Sequence, residues 1–173
     1  MRSRSASNRM KKNIISIIAV IAVFGGLVWL ARPNGQNTPP ISARANGALA
    51  VEGQSKYDFG VISMAAGKVT QVFRVKNTGT EPVTVNKMYT SCMCTTAVLM
   101  VGNKKIGPYG MPGHGFIPNI NQAIAPEEVA EVEVVFDPAA HGPAGIGRIE
   151  RVVVIENNAG DQLELQIAAT VKP

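Results

Sequence analysis

The chain has 173 residues, enough for one domain of about 100 to 150 residues and a tail. A composition of 46% hydrophobic and 17% charged residues, with 17 glycines and 11 prolines, favours a turn-rich β domain over a helix bundle or a disordered chain. The formal net charge is +5, but six of the 17 basic residues lie at or before Arg32 and all 12 acidic residues follow it. No basic face is therefore predicted, and nucleic-acid binding is not expected.

A segment without charge, residues 13–31, follows a basic tail made of residues 1–12. Its length matches the roughly 17 to 25 apolar residues that cross the hydrocarbon core of a bilayer as a helix. Five positive charges precede the segment and one, Arg32, follows it, which predicts that the tail stays in the cytoplasm. We therefore expect a single-pass protein of the cytoplasmic (inner) membrane, whose domain lies in the periplasm or outside the cell.

A cleaved signal peptide is the competing interpretation of the same segment. The apolar region of a signal peptide is usually about 7 to 15 residues long and is followed closely by a small-x-small site. Here the apolar run is longer, and the site Ala43-Arg44-Ala45 lies well past its end, so a retained signal-anchor is favoured. Residues 32–55, rich in Pro, Asn, Gly, Ala and Ser without apolar periodicity, are predicted to be a linker.

From Lys56 onwards, apolar and polar residues alternate in short stretches bounded by turn residues, which is the pattern of half-buried β-strands. Strands are predicted over residues 69–76, from Val83, and over 130–136, 150–156 and 163–171. About seven such strands predict an all-β fold, an immunoglobulin-like β-sandwich over residues 56–173, preceded by one N-terminal transmembrane helix.

The stretch from Gly102 to Glu128 does not follow the strand pattern. It is too long for a simple turn and too apolar for plain disorder. We expect it to be a packed loop at one end of the sandwich. Its residues Tyr109, Met111 and Phe116 are candidates for contact with a partner, expected to be another protein of the cell envelope.

The only two cysteines, Cys92 and Cys94, flank Met93. On a strand, residues two apart point the same way, so both sulfurs could reach one ligand. Soft donors of this kind select Cu(I) or Zn(II), and the candidate ligands are Cys92, Cys94, Met111, His114 and His141. Two alternatives stay open. The cysteines could be small buried hydrophobic residues, or they could form a labile disulfide. Such a disulfide would be strained, because the Cα atoms of extended residues two apart lie near the roughly 7 Å limit for a bridge.

Established catalytic motifs are missing from the sequence, including the Gly-x-Ser-x-Gly elbow, the His-Glu-x-x-His pair and phosphate-binding loops. A Cys–His nucleophile pair remains open, because a sequence does not show the geometry that such a pair requires. We therefore expect a membrane-anchored binding module of the cell envelope rather than an enzyme, without a cofactor. The alternative is a Cu(I)-binding or thiol-redox site built on the Cys-Met-Cys motif.

Four short motifs together resemble one family: Tyr57–Ile62, Val75–Gly79, Ser91–Thr95 and Val135–Pro138. They are similar to the bacterial domain of unknown function 1573, an immunoglobulin-like sandwich related to the ASPM, SPD-2 and Hydin domains. The resemblance implies export and a sandwich fold, but no particular reaction. Members of that family usually have glycine where this chain has Met93, and a shorter connection than Ile106 to Ala125.

Overall fold

The computed structural model describes residues 48–173, which form ten strands and two short 3-10 helices. The strands are β1 (Leu49–Glu52), β2 (Lys56–Ser63), β3 (Val69–Asn77), β4 (Val83–Thr90), β5 (Thr95–Val101), β6 (Lys104–Tyr109), β7 (Gln122–Ile124), β8 (Val129–Phe136), β9 (Gly147–Asn157) and β10 (Leu163–Lys172). The 3-10 helices are Met64–Ala66 and Gly142–Gly145.

The predicted cytoplasmic tail, the transmembrane anchor and most of the linker lie outside the described residues. Within residues 48–173, no helix is long and apolar enough to span a membrane.

The strands form two five-stranded sheets, in the orders β1-β3-β8-β5-β6 and β2-β10-β9-β4-β7. Every pairing is antiparallel except that of β2 with β10, which is parallel. The all-β prediction is confirmed, and the two sheets pack face to face as a sandwich. Residues 48–173 form ten strands rather than about seven, and β1, β6 and β7, which were not predicted, lie at sheet edges.

The core lies between the sheets and is built from the alternate residues that the sequence pattern placed on apolar faces. On β8 these are Ala130, Val132, Val134 and Phe136, and on β10 they are Leu165, Ile167, Ala169 and Val171, all of them buried. Burying one Val, Leu or Ile side chain contributes roughly 1.5 to 3 kcal/mol. The alternation therefore fixes the register, since a slip of one residue would expose the whole set.

The stretch from Gly102 to Glu128 differs from the prediction of one packed loop at an end of the sandwich. It forms the edge strands β6 and β7, joined by a connecting segment, residues 110–121, that passes from one sheet to the other along β4. The connecting segment is held near both ends, because Thr90 N donates to Gly110 O at 3.0 Å and Ile120 N donates to Asn86 O at 2.8 Å. Edge strands lack a clear apolar alternation, which is why the sequence pattern missed them.

Candidate functional site

Cys92 and Cys94 lie in the turn of residues 91–94, which joins β4 in one sheet to β5 in the other. They are therefore not on a strand, as the sequence interpretation required for a shared ligand. The turn brings their Cα atoms to 5.3 Å, and the two residues form a disulfide bond. That separation lies within the range of ordinary disulfides, because a turn is more compact than an extended chain.

Hydrogen bonds from both sheets hold this cysteine turn in place. The buried hydroxyl of Thr90 lies 2.9 Å from the carbonyl oxygens of both Cys92 and Thr95. From the end of β8, Asp137 N donates to Cys94 O at 2.9 Å. The two sulfurs are thus positioned by strand ends rather than by a free loop.

The two cysteine residues differ in their exposure to solvent. Cys94 is 3% exposed and belongs to the hydrophobic core, whereas Cys92 is half-buried at its margin. Met93, between them, is 49% exposed. As a residue, Cys92 is therefore closer to solvent than Cys94.

His141 reaches the disulfide from the connection between β8 and β9, residues 137–146. Its Nε2 atom lies 3.1 Å from Cys92 Sγ, and its side chain is exposed. The connection folds back on itself, with Asp137 Oδ1 accepting from Ala139 N at 3.0 Å. The backbone at Gly145 passes close to His141. Any side chain at position 145 would place its Cβ only 3.3 Å from His141 Cβ.

Arg151 on β9 approaches the second sulfur. Its Nε atom donates to Cys94 Sγ at 3.3 Å, and its Nη1 atom donates to Glu150 O at 2.8 Å. The sequence pattern did not single out this residue, although Arg151 alternates with Val153 and Ile155 along β9. A cation on an otherwise apolar strand face was the signal that could have identified it.

The Cys92, Cys94 and His141 side chains offer three metal-ligating atoms that all lie within 4.8 Å of one another. Among residues 48–173 they are the only group of at least three Cys, His, Asp or Glu side chains so placed. The other two predicted ligands, His114 and Met111, lie in the connecting segment, where His114 N donates to Met111 O at 3.2 Å. His114 is exposed and does not belong to the group.

The predicted partner-contact residues lie on or next to the connecting segment. Tyr109 is a half-buried residue of β6 that pairs with Ala97, and Met111 is half-buried too. Phe116 is 89% exposed. Of the three residues, Phe116 is the one that presents most of a large apolar side chain to solvent.

Residues 51–107 match the family described as "Protein of unknown function (DUF1573)". The match contains three of the four motifs on which the resemblance was based, and the fourth, Val135–Pro138, lies beyond it. None of the curated proteins matches the chain.

Solved structures similar to this chain include a protein of unknown function from Porphyromonas gingivalis W83, with a TM-score of 0.55 and 16% identity over 78% of this chain and 51% of that one. This chain thus spans about half the length of that protein. The ASH/PapD-like domain 7 of human CEP192 gives a TM-score of 0.42 and 12% identity over 75% of this chain and 87% of that one. At such low identity, the Porphyromonas likeness shows the fold alone.

Proposed function

We propose that this chain, a member of the DUF1573 family by its match over residues 51–107, is a binding module of the cell envelope. In this proposal the apolar segment 13–31 holds the chain in the cytoplasmic membrane, and the linker carries the sandwich on the other side. The connecting segment, residues 110–121, docks a second protein of the envelope.

The observation that carries this proposal is the exposure of Phe116, which is 89% accessible. A large aromatic side chain gains favourable free energy by leaving water, and aromatic residues often anchor protein interfaces. The segment around Phe116 is fixed to β4 near both ends, through Gly110 and Ile120. These attachments restrict the freedom of the segment before a partner binds, which lowers the entropic cost of binding.

The placement outside the cytoplasm rests on the basic tail, the apolar segment and the disulfide. Disulfide bonds persist in oxidising compartments and are rare in the cytosol. The Cys92–Cys94 bond is therefore what an exported domain would be expected to contain. Protease added to intact spheroplasts should digest residues 48–173, and protection of this portion until lysis would contradict the placement.

Site-specific photo-crosslinking in membranes tests the docking surface. A photoreactive amino acid at position 116 should yield a discrete crosslinked protein. The matched control is the same probe at Val61, a 62% exposed residue of β2, outside the connecting segment. Identical products from both positions, or no product from position 116, would exclude this segment as the docking surface.

A second candidate function is thiol–disulfide exchange at Cys92–Cys94, favoured by the positions of His141 and Arg151. A partner thiolate attacks the Cys92 sulfur, the S–S bond breaks, and its electron pair passes to the Cys94 sulfur. Arg151, whose Nε lies 3.3 Å from that sulfur, stabilises the negative charge. A second partner thiolate then attacks the partner's sulfur in the mixed disulfide and releases Cys92 beside His141.

The net reaction reduces this disulfide by two electrons and oxidises a partner dithiol to a disulfide. Equilibration of the chain with mixtures of reduced and oxidised glutathione, followed by alkylation and mass measurement, tests it. We expect a single two-electron transition in the folded protein. A disulfide that stays oxidised in a large excess of dithiothreitol would rule out exchange.

A further inference from the structure

We infer that Cys92, Cys94 and His141 form a three-ligand Cu(I) site when the disulfide is reduced. The inference rests on the second candidate function, because thiolates become available only after a dithiol reductant has opened the S–S bond. Binding then releases the two thiol protons, forms bonds from copper to the sulfurs and the imidazole, and transfers no electrons to or from the metal.

The arrangement of the ligand atoms is the first argument. In the disulfide form, the three ligand atoms lie within 4.8 Å of one another, with His141 Nε2 at 3.1 Å from Cys92 Sγ. The cysteines sit in a turn that the Thr90 hydroxyl and the backbone of Asp137 hold from both sheets. Little ordering is needed on binding, since the donors are brought together by the fold.

The choice of metal follows from softness, charge and ligand number. Thiolate sulfur is a soft donor that favours Cu(I) or Zn(II). The Nε atom of the Arg151 guanidinium lies 3.3 Å from Cys94 Sγ. The net charge of the site is therefore zero when two thiolates hold one Cu(I) beside this cation. Zn(II) in the same place would leave an excess positive charge at a partly buried site, and structural zinc normally takes four protein ligands. Cu(I), which accepts low coordination numbers, fits the three donors present.

Access to the site is one-sided. Cys92 is half-buried and His141 is exposed, whereas Cys94 is 3% exposed within the core. A copper ion would enter from solvent past Cys92 and His141 and meet Cys94 last. Met93, between the two cysteines in the same turn, is 49% exposed and carries a further soft sulfur.

Copper titration of the full-length chain in detergent tests the inference. The protein is reduced anaerobically with a dithiol, freed of reductant and titrated with Cu(I) against a chromogenic chelator. We expect one Cu(I) per chain, and X-ray absorption should show two sulfur ligands and one nitrogen ligand. Uptake by the reduced chain no greater than by its oxidised form would overturn the inference.

Variants identify the ligands. His141→Ala should weaken Cu(I) binding by roughly 100-fold, since even an outer-shell partner of a ligand is typically worth 10- to 100-fold. The matched control is His114→Ala, which removes the other histidine from a loop that does not contribute to the group. Cys92→Ser changes a residue at the margin of the core, so the fold should survive while binding is lost. Wild-type affinity in Cys92→Ser or His141→Ala would overturn the three-ligand site.

The copper site and the exchange function fail in different experiments. If the disulfide equilibrates normally with glutathione but the reduced chain takes up no copper, the metal site is wrong and exchange stands. If the reduced chain binds one Cu(I) through two sulfurs and a nitrogen, yet no partner disulfide forms when the oxidised chain meets a dithiol protein, the metal site stands without exchange.

Discussion

Arg151 Nε donates a hydrogen bond of 3.3 Å to Cys94 Sγ, from a strand face that otherwise carries buried apolar side chains. Val153 and Ile155 follow on that face of β9 and are buried in the core. At the end of the sandwich this face lies against the cysteine turn, where the guanidinium donates its hydrogen bond to the Cys94 sulfur. The cation thus lies where negative charge would develop if the disulfide were reduced.

Arg151→Gln should shift the thiol–disulfide equilibrium towards the disulfide. A hydrogen bond to a charged group is worth about 1.5 to 3 kcal/mol, and partial exposure of this one reduces the expected effect to about tenfold. Redox titration against glutathione measures it. Arg74→Gln is the control, because Arg74 lies on β3 in the other sheet and pairs with Glu52 at 3.2 Å. An equal shift in both variants would contradict a specific role for Arg151.

Reduction of the disulfide should leave the sandwich folded. The bond joins residues only two apart in the chain, and the entropy that a disulfide removes from the unfolded state grows with the length of the loop it closes. The expected loss in the free energy of unfolding is roughly 2 kcal/mol, less than for longer loops. Urea unfolding of the oxidised and reduced chains, followed by circular dichroism, measures the difference. Unfolding on reduction alone would contradict both proposals for this turn.

The inner strands were predictable from the sequence because each has one face buried in the core. A strand such as β8, with one face in the core, must alternate apolar and polar residues, so Ala130, Val132, Val134 and Phe136 stand out. An edge strand such as β6 (Lys104–Tyr109) has only half-buried and exposed residues. Its pairing comes from backbone hydrogen bonds to β5, which leave no mark on side-chain periodicity.

The candidate site was only partly predictable for a similar reason. Cys92 and Cys94 are neighbours in sequence, so their joint role was visible. His141 lies 49 residues from Cys92 and Arg151 lies 57 residues from Cys94, and tertiary structure alone brings them to the sulfurs. No pattern in the sequence distinguishes His141 from His114, because both lie beside glycine in loops.

Asn77 at the end of β3 should be one of the most important polar residues for stability. It is fully buried, its Nδ2 donates to Glu81 O at 2.8 Å and to Ile124 O at 3.0 Å, and its Oδ1 accepts from Gly79 N at 3.0 Å. Asn77→Ala leaves buried backbone groups without partners, which predicts a loss of roughly 2 to 4 kcal/mol in the free energy of unfolding.

Asn157 provides a matched control for Asn77. It makes equivalent contacts in its own turn, donating to Asp161 O at 3.1 Å and accepting from Ala159 N at 2.8 Å, but it is only half-buried. Asn157→Ala should cost about 1 kcal/mol, since water replaces the lost partners. Equal losses in the two variants, measured by urea unfolding, would show that burial does not explain the role of Asn77.

The outer face of the second sheet carries an ion pair that should be visible in a pH titration. The Arg148 guanidinium donates to Asp58 Oδ2 at 2.8 Å across the small side chain of Ala168, and Gly60 N donates to Asp58 Oδ1 at 2.8 Å. The hydrogen bond from Arg148, followed by that from Gly60, lowers the pKa of Asp58 below its ordinary value. A carboxyl titration by NMR should show this low midpoint, and Arg148→Gln should raise it.

The sign of the accompanying change in stability follows from linkage. Because the pKa of Asp58 is lower in the folded than in the unfolded chain, the ion pair stabilises the fold above the ordinary aspartate pKa of about 3.9. This contribution is lost as the pH falls through the folded-state pKa. The stability difference between wild type and Arg148→Gln should therefore be constant near neutral pH and vanish in acid. A difference that grows on acidification would contradict the assignment.

Alanine substitutions at Phe116 and Phe73 should distinguish an effect on partner binding from an effect on the free energy of unfolding. Phe116 is 89% exposed, so Phe116→Ala should change the free energy of unfolding by less than about 0.5 kcal/mol. Phe73 is 3% exposed in the core, and Phe73→Ala should cost about 3 to 5 kcal/mol. If Phe116 anchors a partner, its replacement should abolish co-purification from membranes in a fully stable protein. A Phe116→Ala variant that is destabilised as strongly as Phe73→Ala would show instead that the side chain packs inside the domain.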